Sequence, residues 1–396
     1  MFQLRKAISK AMTQVCGMPK SVSSMLLSPT VGRGQLSTAM QFDALEPRTM
    51  MTVNVVQALP DLVIDRNQAA ETVNLNGRYD NPDLNGTIAR FNTSLGQINV
   101  LLYDQAGTGI TRTTPITVTN FLQYITAGRY NDQIIHRSVP GFIVQGGGFS
   151  MPTQVGQTPA AITTFAQIQN EAGNSNIRGT IAMAKQANSV NSATGQWFFN
   201  LANNASNLDN QNGGFTAFGR VVLGLDVMDA LANVPTFNFG GSFTDLPLRN
   251  YENGQVDPTT PANYLEVDIT TIPEITYSVT STNSTLVNPV INGTNLNLSY
   301  GANASGSATV TVRATSADGS FTEDAFIVRI NAAPVIANLN PSAPNVGRNS
   351  PFSLSLGTAT DDAGISKVDF YRDTNGNNAL DIGIDTLVGT DTSADG

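Results

Sequence analysis

Arg137, Phe142 and Gln145 fall within nine residues of one another, in the block Ile135-His-Arg-Ser-Val-Pro-Gly-Phe-Ile-Val-Gln-Gly-Gly-Gly-Phe149. A guanidinium, an aromatic ring and a carboxamide at this spacing can bind and orient a ligand. They supply no nucleophile. Arginine is always charged and presents several donors in a rigid fork. The chain holds one His and one Cys. One His removes most triad and metal-site chemistries, and one Cys excludes a disulfide framework and a Cys-based zinc site. His136 invites a reading as general base, and Gly146-Gly-Gly148 a reading as phosphate loop. No Lys-Ser/Thr follows the glycines, so the phosphate reading fails.

The elements that must position these residues read as β-rich. The chain has 396 residues, 40% hydrophobic and only 13% charged, with net charge −9. Asn, Thr, Ser and Gly replace the missing charge, as in β proteins with many turns. An acidic chain is a poor candidate for nucleic-acid or anionic-membrane binding. No run of 18 apolar residues exists, so no membrane span is expected. Thr87-Ile-Ala-Arg-Phe91 and Gln97-Ile-Asn-Val-Leu-Leu-Tyr103 alternate as strands around a hairpin turn at 94–97. After Pro115, Val118, Phe121, Leu122 and Ile125 make one helical face, closed by Gly128. A second helix is expected from about Leu225 to Asn233.

Three ordered blocks carry a resemblance. They are Ile135–Phe149; Gly179-Thr-Ile-Ala-Met-Ala-Lys185 with Asn191-Ser-Ala-Thr-Gly-Gln-Trp-Phe-Phe-Asn200; and Leu208-Asp209 with Phe215-Thr-Ala-Phe-Gly-Arg-Val221. In this order, with the helices and a closing strand at 264–270, the stretch resembles the cyclophilin family of peptidyl-prolyl isomerases. The resemblance implies a closed eight-stranded antiparallel barrel capped by two helices. It implies Arg137, Phe142 and Gln145 as catalytic residues. It implies Ile143, Ala184, Gln196, Phe198, Leu208 and Phe215 as substrate-binding residues. Asn207 and Phe215 stand where many members have Trp and His, Ile143 replaces a Met, Trp197 replaces a Phe, and Lys185 replaces an Asn. No metal or cofactor is implied, and the expected partners are proline-containing polypeptides.

The implied chemistry suits these residue types. An Xaa-Pro amide resists rotation with a barrier of ~18–20 kcal/mol. As it twists, the prolyl nitrogen loses conjugation and becomes a better acceptor. A fixed guanidinium then binds the twisted state more tightly than the planar one. An apolar pocket holds the pyrrolidine ring, and Gln145 holds a backbone group. No proton moves, so His136 is read as a structural residue and Trp197 as core.

The expected organisation is mainly β in five parts. Residues 1–52 form a basic leader, with six Lys/Arg against two acids, expected to be disordered. It lacks the apolar core of a standard signal peptide, but Leu45-Glu-Pro-Arg48 resembles a motif near the N-termini of large exported bacterial proteins. On that resemblance the chain is expected to be exported, to the cell surface, periplasm or medium. Residues 53–86 read as a β-rich approach segment and 87–273 as the isomerase-like domain. Residues 274–332 resemble a cadherin- or immunoglobulin-like β-sandwich, which would offer a surface to cell-surface partners. Residues 333–396 read as a second, truncated β-module. The stretch 373–381 spaces oxygen ligands like a calcium loop, yet its Gly is misplaced and Ile384 stands where a closing Glu belongs, which favours a polar turn. Two rivals remain: a surface protein whose cyclophilin-like part only binds proline peptides, and a calcium-dependent adhesin.

Overall fold

The computed structural model describes residues 52–252, 260–341, 353–361 and 364–392. The expectations for the leader therefore fall outside the described residues, apart from Thr52.

Period-2 patterning produces most of the elements. Apart from the short pairs Asn54–Val55 with Tyr79–Asp80 and Thr236–Phe237 with Leu246–Pro247, the first strands in chain order are β1 (Leu62–Ile64), β2 (Glu71–Asn74), β3 (Ile88–Thr93), β4 (Gly96–Leu102), β5 (Gln133–Ile134), β6 (Arg137–Val139) and β7 (Ile143–Gly146). Then follow β8 (Phe149–Ser150), β9 (Ala160–Ala161), β10 (Thr180–Met183), β11 (Trp197–Asn200), β12 (Ala217–Leu223) and β13 (Glu266–Ile272). Among the described residues the α-helices are α1 (Pro115–Thr126), the single turn α2 (Ala205–Leu208) and α3 (Leu225–Ala232). Helices α1 and α3 lie where the periodicity predicts them.

Eleven strands make one antiparallel sheet in the order β9-β8-β5-β13-β3-β4-β12-β10-β11-β7-β6. The expected closed eight-stranded barrel is corrected to an open, curled sheet. The reason lies at Ile135 and His136, where one extended stretch breaks into β5 and β6. Strand β5 pairs with β13, whereas β6 pairs with β7 at the far edge. Only two residues separate these strands, so the two flanks are drawn together without a continuous ladder. Across the break, Ile135 N–H donates to Leu265 O (2.9 Å) and His136 N–H to Gln145 O (3.1 Å).

The concave side is filled by a core in which Phe91 stands edge-on to Trp197 (4.9 Å) and to Phe199 (5.1 Å). Val118 and Phe121 of α1 are buried there, with Leu122 and Ile125 packed against them. Proline opens α1, where its missing N–H costs nothing. The buried carboxylate of Glu171 accepts from the free N–H groups of Ile116 (3.3 Å) and Thr117 (2.8 Å), a charge-assisted cap from 54 residues away.

The following strands are β14 (Ile275–Ser281), β15 (Val287–Asn292), β16 (Asn295–Tyr300), β17 (Gly306–Ser316) and β18 (Phe321–Ile330). They make two layers, a sheet of order β14-β17-β18-β1 and another of order β15-β16-β2. Strand β1 is parallel to β18, and β2 is antiparallel to β16. One apolar core joins the layers, with Leu75, Leu296, Leu298, Val310, Val312 and Val328 fully buried. Residues 62–74 thus belong to the same packed unit as residues 275–330, and the curled sheet is inserted between them. At the junction Asn99 Nδ2 donates to Ala317 O (2.6 Å), beside buried Leu84, Ile88 and Leu101.

Beyond Ile330, β19 (Val335–Pro341) pairs with β20 (Leu354–Thr360), and β21 (Val368–Arg372) with β22 (Thr386–Asp391). Among the described residues these pairs enclose no buried apolar cluster. In the turn at 373–385, Asn375 and Asn377 donate to one oxygen of Asp381 (2.7 and 2.6 Å). Asp373 accepts from the backbone of Gly376 and Asn378.

Candidate active site

The site is the outer face of strands whose inner face is the core. Successive side chains on a strand point to opposite faces. On β11, Trp197 and Phe199 enter the core, while Phe198 faces out. On β7, Val144 enters the core, while Ile143 faces out. Ala182 and Ala217 repeat the pattern on β10 and β12. These outer residues, with Leu208 of α2 and the half-buried Phe142, Ala184 and Phe215, make a separate apolar cluster.

Over it lies a pocket of about 220 Å³. Phe142, Ile143, Phe198 and Leu208 form its apolar wall, and Phe215 stands edge-on to Phe198 at 5.8 Å. Arg137 and Gln145, directly opposite each other in the β6–β7 ladder, border it together. Eight of the nine expected site residues therefore converge there. Gln196 does not line the pocket. Its Oε1 accepts from Gln145 Nε2 (2.8 Å), and its side chain also bonds His136. It orients the carboxamide from behind.

Arg137 has a half-exposed side chain whose Nε lies 3.3 Å from Asp245 Oδ2. Its terminal nitrogens make no hydrogen bond among the described residues. Phe142 sits in a tight turn, its N–H bonded to Val139 O (2.9 Å) and its carbonyl accepting from Leu201 N (2.9 Å) and Asn204 Nδ2 (2.9 Å). Three hydrogen bonds thus fix the main chain that carries the ring.

Burial pushes the imidazole of His136 down to about 4, and the nearby guanidinium of Arg137 adds to the effect. It is neutral at ordinary pH and packs edge-on to Phe149 at 4.9 Å. Gly146 and Gly147 serve Trp197 rather than an anion: a Cβ at either would come within 2.7 Å of the indole, and Gly147 has φ +74°.

Two lining residues were outside the expected set. Lys185 Nζ donates to Asn212 O (2.8 Å) and Gly214 O (2.7 Å) and sits 4.9 Å over the Phe215 ring. Burial lowers its pKa. It ties down the 211–215 loop, which also brings Gln211 to the rim. Its departure from the family's Asn was the signal available in sequence. Asp245 is 108 residues from Arg137, and no local pattern announces it.

A larger groove of about 600 Å³ runs between α1 and residues 165–168. Its lining holds no charged side chain, so it offers no cation to a prolyl nitrogen.

Comparison with known proteins finds similarity in the same part of the chain. Residues 88–252 match the family described as "Cyclophilin type peptidyl-prolyl cis-trans isomerase/CLD". A peptidyl-prolyl cis-trans isomerase of Acinetobacter baylyi is 41% identical over 160 residues, covering 40% of this chain and 78% of that protein. Isomerase B of Escherichia coli (strain K12) is 38% identical over 163 residues, 40% of this chain and 90% of that one. A solved cyclophilin type isomerase of Cryptosporidium parvum, crystallised in the presence of the dipeptide Ala-Pro, shares 21% identity. It is covered over 96% of its length and 46% of this chain, with a TM-score of 0.32.

Proposed function

The chain belongs to the cyclophilin-type peptidyl-prolyl cis-trans isomerases and is an isomerase of Xaa-Pro bonds, and from that premise we propose that Arg137 drives the rotation within exported polypeptides. The observation that carries this reading is the cation at the rim of an apolar pocket. Phe142, Ile143, Phe198 and Leu208 clamp the pyrrolidine ring. Gln145, steadied by Gln196, holds the backbone on one side of the bond. The other side turns, and the prolyl nitrogen pyramidalises toward the free nitrogens of Arg137. That hydrogen bond exists only in the twisted state, so it lowers the barrier rather than deepening substrate binding. No bond breaks and no proton leaves the enzyme.

Export of the chain is supported by Leu45-Glu-Pro-Arg48. The β-rich parts on either side would then act as cadherin- or immunoglobulin-like spacers, presenting the isomerase to secreted or cell-surface chains. Uncatalysed prolyl exchange takes ~10–100 s, slow enough to limit the folding of such chains.

The test is cis/trans exchange of an Ala-Pro-Phe peptide, using the full chain and its Arg137→Ala variant. Acceleration by the first and its loss in the second, with both folded, is expected. Equal rates would remove Arg137 from its role. No acceleration by either would leave a proline-peptide binding module. Fractionation of the source cells, probed for the chain, decides export.

A further inference from the structure

We infer that Asp245 is a positioning residue for the isomerisation: it holds the guanidinium of Arg137 by Nε and leaves both terminal nitrogens to the substrate. The inference rests on the isomerase reading of the pocket and adds to it a residue from outside the three blocks.

Asp245 lies between α3 and β13, in a stretch that folds back against the site. Its Oδ2 is 3.3 Å from Arg137 Nε. The same oxygen accepts from Thr244 Oγ1 at 3.1 Å. Its carbonyl accepts from Ser138 N–H at 2.9 Å, so the backbone of Asp245 is tied to the residue after Arg137. On one side Phe243 packs against Phe149 at 4.7 Å. On the other, Leu246 is buried with Ile134, Leu248 and Tyr264. The backbone that carries the carboxylate is therefore anchored on both flanks.

The exposure of the pair decides what it is for. The two side chains are 36% and 39% exposed. Such a half-exposed pair adds little to stability. It cannot be a main support of the fold. Its effect is on orientation. An unrestrained arginine side chain samples many rotamers. A donor that is already fixed loses less of this freedom in the transition state. The planar fork makes the division of labour natural, because a partner at Nε leaves the far edge unobstructed. A half-exposed carboxylate is screened by water, so it subtracts little from the attraction that Arg137 exerts on the prolyl nitrogen.

The test uses the full chain as wild type, Asp245→Ala, Asp245→Asn, Arg137→Ala and the double variant. Asp245→Ala should lower kcat by about tenfold, with the peptide Kd within twofold and Tm unchanged. Asp245→Asn should recover most of the rate, since its carbonyl oxygen can accept the same Nε–H. In the Arg137→Ala background, removing Asp245 should change nothing further. A full rate in Asp245→Ala, or an equal loss in both backgrounds, overturns the proposal. A readout independent of turnover is the ¹⁵N NMR signal of Arg137 Nε–H. It should be protected from solvent exchange in the wild type and in Asp245→Asn, and lose that protection in Asp245→Ala. An inactive wild type with this pattern would count against the isomerase reading and not against the pairing. Unchanged protection in Asp245→Ala would sink the pairing itself.

Discussion

Trp197 and Phe198 are neighbours in sequence and serve opposite faces of one strand: the indole fills the core, and the phenyl ring walls the substrate pocket. The strand's alternation makes the substrate surface from the reverse side of the structural one. The two residues should therefore fail differently. Trp197→Ala should destabilise the fold by about 3–5 kcal/mol, as deletion of a fully buried aromatic does. Phe198→Leu keeps an apolar side chain in the pocket wall and should show its main effect as a raised KM. Thermal melts and peptide kinetics on both variants check this. Equal losses of Tm would contradict the division of roles.

Because no titrating group enters the reaction, kcat/KM should be nearly flat between roughly pH 6 and 9. His136 is the sole histidine, and burial holds it neutral down to about 4. A sigmoid in the rate near pH 6.5 that disappears in His136→Gln would sink the mechanism.

The same histidine makes stability pH-dependent. Its pKa is lower in the folded state, about 4 against 6.5, so the unfolded chain binds the extra proton between these values. Its contribution is full above pH 6.5 and is lost as pH falls toward 4. A shift of this size is worth on the order of 3 kcal/mol. Denaturant melts of wild type and His136→Gln from pH 4 to 7 should converge toward the acid end.

Glu274 pulls in the opposite direction. Burial at the junction raises its carboxyl to about 7, and the nearby charges of Asp80 and Asp318 contribute. The folded state keeps a proton that the unfolded chain releases above 4.5, so this stability is lost as pH rises through 7. Glu274→Gln should raise Tm at pH 8 and leave it nearly unchanged at pH 4. A lower Tm at pH 8 would argue against the strained carboxylate.

Leu75 tests the insertion of the curled sheet. It is fully buried against residues more than 200 positions away. Leu75→Ala should cost about 2–5 kcal/mol and speed amide exchange in β16 and β18. The isomerisation rate should stay near wild type. Unchanged exchange in those strands would show that β2 contributes nothing to the unit.

The sequence on its own determined the local pieces. Alternation located β3 and β4, and the apolar spacing located α1 and α3, because pleat and helix periods are local properties. The family resemblance of the three blocks singled out Arg137, Phe142, Ile143, Gln145, Ala184, Phe198, Leu208 and Phe215, and all eight border one pocket. The tertiary structure alone decided how the pieces join. No local signal says that Leu62–Ile64 lies parallel to β18, because register between distant strands is set by shared burial rather than by either sequence. Nor does one say that the chain breaks between β5 and β6 at Ile135 and His136 and leaves the sheet open. Gln196 moved from the pocket to a place behind Gln145, and Asp245 arrived beside Arg137 across 108 residues. Both depend on where two chain segments meet in space, a condition that residue type and spacing do not contain.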